Sequence, residues 1–202
     1  MPTLILVRHG EVANPNHVVY ADLPGFDLSC LGVLQAHAAS RYLEDSRLDA
    51  VVSSPLARAV HTASAIAHRH ALAVTIDHRL TETGMYPGWT GLRWEEVQLR
   101  YGDQLDGYLR DSTALVEVSE STNHIAARMR QVVADTIATG FERFALVGHQ
   151  DPIQALRLTL LALPLASLRI DPPVHGSATT LVTLDGRRWD RVASWHPRLP
   201  SP

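Results

Sequence analysis

The chain has 202 residues, enough for one domain with a sizeable core, and its 46% hydrophobic and 19% charged residues are those of an ordinary globular protein. A net charge of −3 excludes the broad basic surface of a general nucleic-acid binder, and no apolar run is long enough to span a bilayer. The 18 basic residues are all arginine, which removes a lysine nucleophile, and the single Cys30 excludes an intrachain disulfide. The N-terminus has neither the basic nor the apolar region of a signal peptide, so the expected location is cytoplasmic.

Leu4-Ile5-Leu6-Val7 is an apolar run that stops at Arg8-His9-Gly10-Glu11, the pattern of a buried parallel strand. Ligands of open α/β sheets bind beyond the carboxyl ends of strands, so Arg8-His9 is the first place to look for chemistry. Residues 11–28 read as a long loop broken by Asn14-Pro15-Asn16 and Leu23-Pro24-Gly25. Ser29 is placed to N-cap a helix to about Asp45, with Leu31, Leu34, Ala38 and Leu43 expected on its inner face and Cys30 packed. A strand over 49–52 leads through Ser53-Ser54-Pro55 into a helix to about His68, with Pro55 suited to the first helical position. A third strand is expected over 73–76. Residues 77–92 are polar and carry Thr81-Glu82-Thr83, and one or two short helices are expected over 93–118.

Ser119-Glu120-Ser121 opens a helix that Gly140 closes, and Phe144-Ala145-Leu146-Val147 is a fourth buried strand. Gly148-His149-Gln150-Asp151 follows it, then a helix from near Pro152. Residues 178–184 and 188–195 alternate about Asp185-Gly186, a hairpin signal. The tail from Pro197 is expected to be loose. This order predicts an α/β three-layer sandwich, with a mainly parallel central sheet and helices on both faces. The whole chain, 1–202, reads as one domain with a less regular subregion at about 77–118. Arg8-His9, Ser53 to Arg58 and Gly148-His149 then share one edge of the sheet.

Arginines and histidines at strand ends, with helix N-termini nearby, describe an anion site, and the guanidinium fork matches phosphate oxygens. A neutral imidazole can also attack phosphorus, and surrounding arginines disfavour the imidazolium and stabilise the transferring oxygens. A proton donor for the leaving alkoxide is then needed, and Glu82 and Glu11 are candidates. A zinc site is disfavoured, because no HExxH pattern appears and arginines repel a cation. No GxGxxG or P-loop pattern supports a nucleotide site.

These residues resemble the histidine phosphatase superfamily, which includes the cofactor-dependent phosphoglycerate mutases. The resemblance runs from Leu4 to about Ile153 through Arg8-His9-Gly10-Glu11, Leu28-Ser29 with Gly32, and Ser53-Ser54-Pro55-Leu56-Ala57-Arg58. It continues with Leu80-Thr81-Glu82, Gly88-Trp89-Thr90-Gly91, Glu120-Ser121 and Val147-Gly148-His149. It implies a phosphoglycerate mutase-like fold, His9 as nucleophile, Arg8, Arg58 and His149 as the phosphate pocket, Glu82 as proton donor, and no metal or cofactor. Gln150 stands where the family often has glycine, and the asparagine usual after the first motif is Asn14 or Asn16.

The leading expectation is a metal-independent phosphomonoesterase acting on a small phosphorylated metabolite through phospho-His9. A phosphoglycerate mutase and a non-catalytic scaffold that binds a phosphorylated ligand are the alternatives. Neither nucleic acid nor membrane is an expected partner, while the apolar hairpin segments allow a homodimer. His175 is placed to approach the pocket. Trp89 and Trp94 are expected as packing residues or pocket walls, and Arg79, Arg93 and Arg100 are candidates for a second cationic cluster.

Overall fold

A computed structural model describes residues 1–83, 86–111, 118–185 and 187–198. Six strands, β1 (Thr3–Arg8), β2 (Ala50–Ser53), β3 (Val74–Ile76), β4 (Arg143–Gly148), β5 (Ala178–Thr183) and β6 (Trp189–Trp195), form one sheet in the order β3-β2-β4-β1-β5-β6. The first four in space are parallel, and β5 and β6 close the sheet antiparallel. Arg8 pairs with Gly148 at the carboxyl end of the β1–β4 ladder, which brings the first and fourth strand ends together.

Alternation along these buried strands feeds two cores. Leu4, Leu6, Val52, Phe144 and Leu146 pack with α4 (Thr122–Ala138) and α5 (Gln150–Leu160). Ile5, Val7, Val51, Ala145 and Val147 face the other way, against the Ala59, Ala63 and Ile66 stripe of α2 (Ala57–Arg69). Helix α1 (Cys30–Tyr42) packs on α2. A third cluster of Val19, Tyr86, Trp89, Val97 and Tyr108 lies apart from the sheet and includes α3 (Trp94–Arg110). That helix contains a break at Tyr101 (φ −135°, ψ 31°), so two helical segments occupy the region expected to hold one or two.

Caps explain several boundaries. The Ser29 side chain accepts from the Gly32 amide at 2.9 Å, and Ser121 accepts from His124 at 3.2 Å. Gly140 follows α4 at φ +91°, a conformation glycine adopts without a Cβ clash. Other expectations need correction. Helix α1 turns Gly32, Ala36, Ala39 and Ser40 inward, whereas Leu31 and Leu34 are exposed, at 39% and 56%. Small residues are required there because the interface is close: the Ser40 hydroxyl donates to the Ala65 carbonyl of α2 at 2.6 Å. Leu43, just past the helix end, is buried as expected, and Ala38 is half-buried. Cys30 is exposed, not packed, because it opens the helix on the outer side.

Pro55 precedes α2 by two residues instead of opening it, and α5 begins at Gln150, ahead of Pro152, with His149 as its N-cap residue. Gly186 of the expected hairpin turn and residues 199–202 of the tail lie outside the described residues. Among the described residues, no helix is long and apolar enough to cross a membrane.

Candidate active site

Main-chain bonds fix the end of β1. The His9 amide donates to Gly148 of β4 at 3.0 Å, and the Gly176 amide reaches the Arg8 and His9 carbonyls at 3.1 Å. The Gly10 amide donates to Thr62 of α2 at 3.2 Å, and the Thr62 hydroxyl donates to the Arg58 carbonyl at 2.9 Å. Gly10 and Gly32 meet backbone to backbone: a Cβ on Gly10 would lie 2.3 Å from the Gly32 carbonyl oxygen. Glycine at both positions lets α1 press directly on the chain that carries His9.

The His9 ring is 2% exposed. Its Nδ1 lies 2.6 Å from the Gly10 carbonyl oxygen, which can only accept, so Nδ1 carries the proton and Nε2 keeps a lone pair. Burial first, then the neighbouring His149 and the Arg8 and Arg58 guanidinium groups, hold the His9 pKa well below that of free imidazole. The neutral imidazole is therefore the state this environment favours for His9.

The His149 ring centre lies 5.1 Å from that of His9, and its Nε2 is 2.8 Å from the Ser54 hydroxyl. When that hydroxyl donates to Nε2, the proton resides on Nδ1, a buried atom with no protein partner among the described residues. Burial, then Arg58 and Arg8, push the His149 pKa well down. His175 completes the group with its ring centre 5.6 Å from His9. Its Nε2 accepts from Arg8 Nη2 at 2.8 Å, and burial and Arg8 lower its pKa to about 3.

Both arginines are anchored by acceptors that leave donors over. Arg8 Nη1 donates to Gln150 Oε1 at 2.6 Å and to the Pro173 carbonyl at 2.8 Å. Arg58, 1% exposed, donates to the Ala21 and Leu23 carbonyls and sits 4.8 Å from the centre of the Tyr20 ring. The Nε atoms of Arg8 and Arg58 are buried and have no protein partner among the described residues. Unpaired buried donors on two cations, next to a neutral imidazole, suit the oxygens of a phosphoryl group.

A pocket of about 320 Å³ opens beside Arg8, lined also by Tyr20, Glu82, Trp94, Tyr108, Asp151 and Arg169. Glu82 accepts from the Thr83 amide at 2.9 Å. Burial and the nearby Asp151 carboxylate raise its pKa to about 8, against the opposing pull of that amide, Arg8 and Arg58. A carboxyl group so placed keeps its proton at neutral pH. Asp151, 2% exposed, accepts from the Tyr108 hydroxyl at 3.0 Å and from Arg169, which sits over the Tyr108 ring.

The structure thus gathers Arg8, His9, Arg58, Glu82 and His149 around one edge. It moves other candidates away. Glu11 accepts from the Ser29 hydroxyl at 2.8 Å, a helix-start contact. Asn14 braces its own loop by bonds to both main-chain groups of Val18, and Asn16 is exposed. Glu120 forks with Arg128 at 2.7 and 2.8 Å. Arg79 is tied to Asp77 and Asp135, Arg100 pairs with Glu96, and Arg93 is exposed at the start of α3. The second arginine on the pocket is Arg169, which has no motif around it. Trp89 is buried and packs, while Trp94 is a pocket wall. Among the described residues, no group of three or more His, Cys, Asp or Glu side chains is arranged to hold a metal ion.

An α/β sheet whose carboxyl edge holds a neutral histidine between buried arginines defines a protein built to handle a phosphoryl group. The chain belongs to the histidine phosphatase superfamily (branch 1), whose family profile matches residues 4–195. It is 32% identical over 176 residues to glucosyl-3-phosphoglycerate phosphatase of Mycobacterium tuberculosis, a match covering 81% of this chain and 77% of that protein. It is 38% identical over 164 residues to an uncharacterized protein of the same organism, covering 77% and 76% of the two chains. A solved structure of the mycobacterial glucosyl-3-phosphoglycerate phosphatase with VO3 superposes with a TM-score of 0.86 at 30% identity, covering 98% of this chain and all of the other. An Escherichia coli structure described as a putative alpha-ribazole-5'-P phosphatase shares the fold, at 20% identity, a TM-score of 0.79 and 94% of each chain. Family and neighbours place the protein on the phosphatase side of the phosphoglycerate mutase-like fold.

Proposed function

We propose that the protein is a metal-independent phosphomonoesterase that hydrolyses a small phosphorylated metabolite through phospho-His9. The observation that carries this reading is the bond from His9 Nδ1 to the Gly10 carbonyl, which leaves Nε2 unprotonated in a buried, cation-lined site. In the first step His9 Nε2 forms a bond to phosphorus as the bond to the leaving oxygen breaks. Glu82 gives its proton to that oxygen, and an alcohol departs. Arg8, Arg58 and His149 donate to the oxygens on which charge accumulates. In the second step water attacks phosphorus, Glu82 takes its proton, the phosphorus–nitrogen bond breaks, and phosphate leaves a neutral His9. The raised pKa of Glu82 supports both duties, because the group is protonated before the first step and basic after it.

Phosphatase relatives at 30% identity or more support hydrolysis over return of the phosphoryl group to an acceptor. The test is hydrolysis of para-nitrophenyl phosphate with a chelator present, by the native chain and by His9→Ala. Activity that survives the chelator and is lost in the variant is the expected result. Unchanged turnover by His9→Ala removes the mechanism, and conversion of 3- to 2-phosphoglycerate with the bisphosphate primer would make the protein a mutase.

A further inference from the structure

We infer that the leaving group is an uncharged, hydroxyl-bearing alcohol about the size of one sugar ring, and that the Asp151–Arg169 pair excludes a second anion from the site. This rests on the phosphatase reading and extends it across the bond that breaks. At about 320 Å³, the pocket beside Arg8 is at the small end of ligand sites, which run from roughly 300 to 1,000 Å³. Among the described residues, the cationic side chains lining it are Arg8 and Arg169. Arg8 belongs to the phosphate. Arg169 already donates to Asp151 Oδ2 and lies 3.9 Å from the centre of the Tyr108 ring, so its charge is matched, and its buried Nε, which has no protein partner among the described residues, is left as a donor that a neutral hydroxyl can use. Residues 84–85 and 112–117 contain no basic residue, and the chain has no lysine.

Glu82 and Asp151 put two carboxyl groups on the same wall. A carboxylate or second phosphate on the leaving group would meet no unmatched cation there, and would have to leave water beside the Asp151 carboxylate. A hydroxyl meets acceptors. Asp151 Oδ2 is taken by Tyr108 and Arg169, but Oδ1 has only a 3.4 Å contact from Gln150 Nε2 among the described residues, which leaves it able to accept from an alcohol. Val18, Trp94 and Leu109 add apolar surface for the carbon face of a ring. The pocket thus has sides for carbon, an acceptor for hydroxyls and, among the described residues, no unmatched positive charge for a second anion.

Glycerol 3-phosphate and 3-phosphoglycerate share a three-carbon chain and differ by a hydroxymethyl group against a carboxylate, so they isolate charge. The native protein is expected to prefer glycerol 3-phosphate in kcat/KM by at least about tenfold. Equal turnover, or faster turnover of 3-phosphoglycerate, overturns the inference. Asp151→Asn frees the Arg169 charge and is expected to shrink the preference several-fold, while Arg169→Gln strips Asp151 of its partner and is expected to widen it. Movement of either in the opposite direction overturns the role given to the pair. Calorimetric titration of both esters into His9→Ala reads the same selectivity without turnover. Tighter binding of glycerol 3-phosphate there, with no hydrolysis of any ester by the native chain, keeps the charge rule and removes the phosphatase reading. Equal or tighter binding of 3-phosphoglycerate overturns the rule whether or not the native chain is a phosphatase.

Discussion

The two sides of the site are held by different means. On the phosphate side, His9 is fixed by its own amide, by the carbonyl of the next residue and by a backbone contact with α1. On the leaving-group side, Tyr20 comes from the loop after β1, Trp94 and Tyr108 from α3 and Arg169 from a short 3-10 helix, and side-chain contacts hold the wall, among them Arg169 over the Tyr108 ring and its ion pair with Asp151. Main-chain bonds tolerate changes in neighbouring side chains, whereas a wall of side chains can be altered one residue at a time. Chemistry and selectivity are therefore separable in this molecule, and substitutions on the two sides should behave differently.

The largest effect is expected from His9→Ala, which should cut para-nitrophenyl phosphate hydrolysis by more than about a thousandfold, measured by steady-state kinetics. Arg58→Ala removes a buried cation from the phosphate and should cost about a hundredfold or more in kcat/KM for every ester tested, whatever its leaving group. Uniform loss is the mark of the phosphate side, and a loss confined to some esters would erase the distinction drawn above. Glu82→Gln should discriminate instead. Glycerol 3-phosphate, whose alkoxide needs a proton, should slow by about a hundredfold, and para-nitrophenyl phosphate by much less. With the Glu82 pKa raised to about 8, kcat/KM for glycerol 3-phosphate should fall as pH rises through that value, and the fall should be absent in Glu82→Gln.

Gly10→Ala places a methyl group against the Gly32 carbonyl and should destabilise the fold by about 1–3 kcal/mol, read from urea midpoints. The smallest effect is on stability just below neutral pH. His9, His149 and His175 have depressed folded pKa values, so below about 6.5 the unfolded chain takes up protons that the folded chain refuses, and stability falls with pH. Glu82 acts oppositely: its folded pKa is raised, so its contribution is present below about 4.5 and is lost as pH rises towards about 8. The two contributions oppose one another between about pH 5 and 6.5, and urea titrations across that range would measure the net proton uptake on unfolding.

The phosphate side was legible in the sequence for the reason that makes it robust. Apolar runs that end abruptly in Arg8-His9 and Gly148-His149 mark strand ends, and a parallel sheet must bring such ends together. Ser29 and Ser121 announced their helices because a cap is a local bond. Helix α1 misled because it is apolar on two sides. Leu31, Val33 and Leu34 outweigh Ala36 and Ala39 in hydrophobicity, yet a close helix–helix contact selects the smaller set. Ser54 sits in the family-like Ser-Ser-Pro turn, but its bond to His149 is tertiary. Arg169 and Asp151 are 18 residues apart, on a short 3-10 helix (Leu165–Arg169) and on α5, with no period linking them. Pairings of that kind are written in three dimensions only.

The meeting of Gly10 and Gly32 has a further consequence. With no side chain between them, the distance from α1 to the chain that carries His9 is set by the thickness of two peptide planes, and a Cβ on Gly32 would sit 2.0 Å from the Glu11 carbonyl oxygen. The joint has no slack to absorb added atoms, so a methyl group on either glycine must displace the helix or the histidine. Substitutions on the outer face of α1, as at Leu34, leave the joint untouched. The helix can therefore change its exposed residues while remaining a fixed gauge for the position of His9.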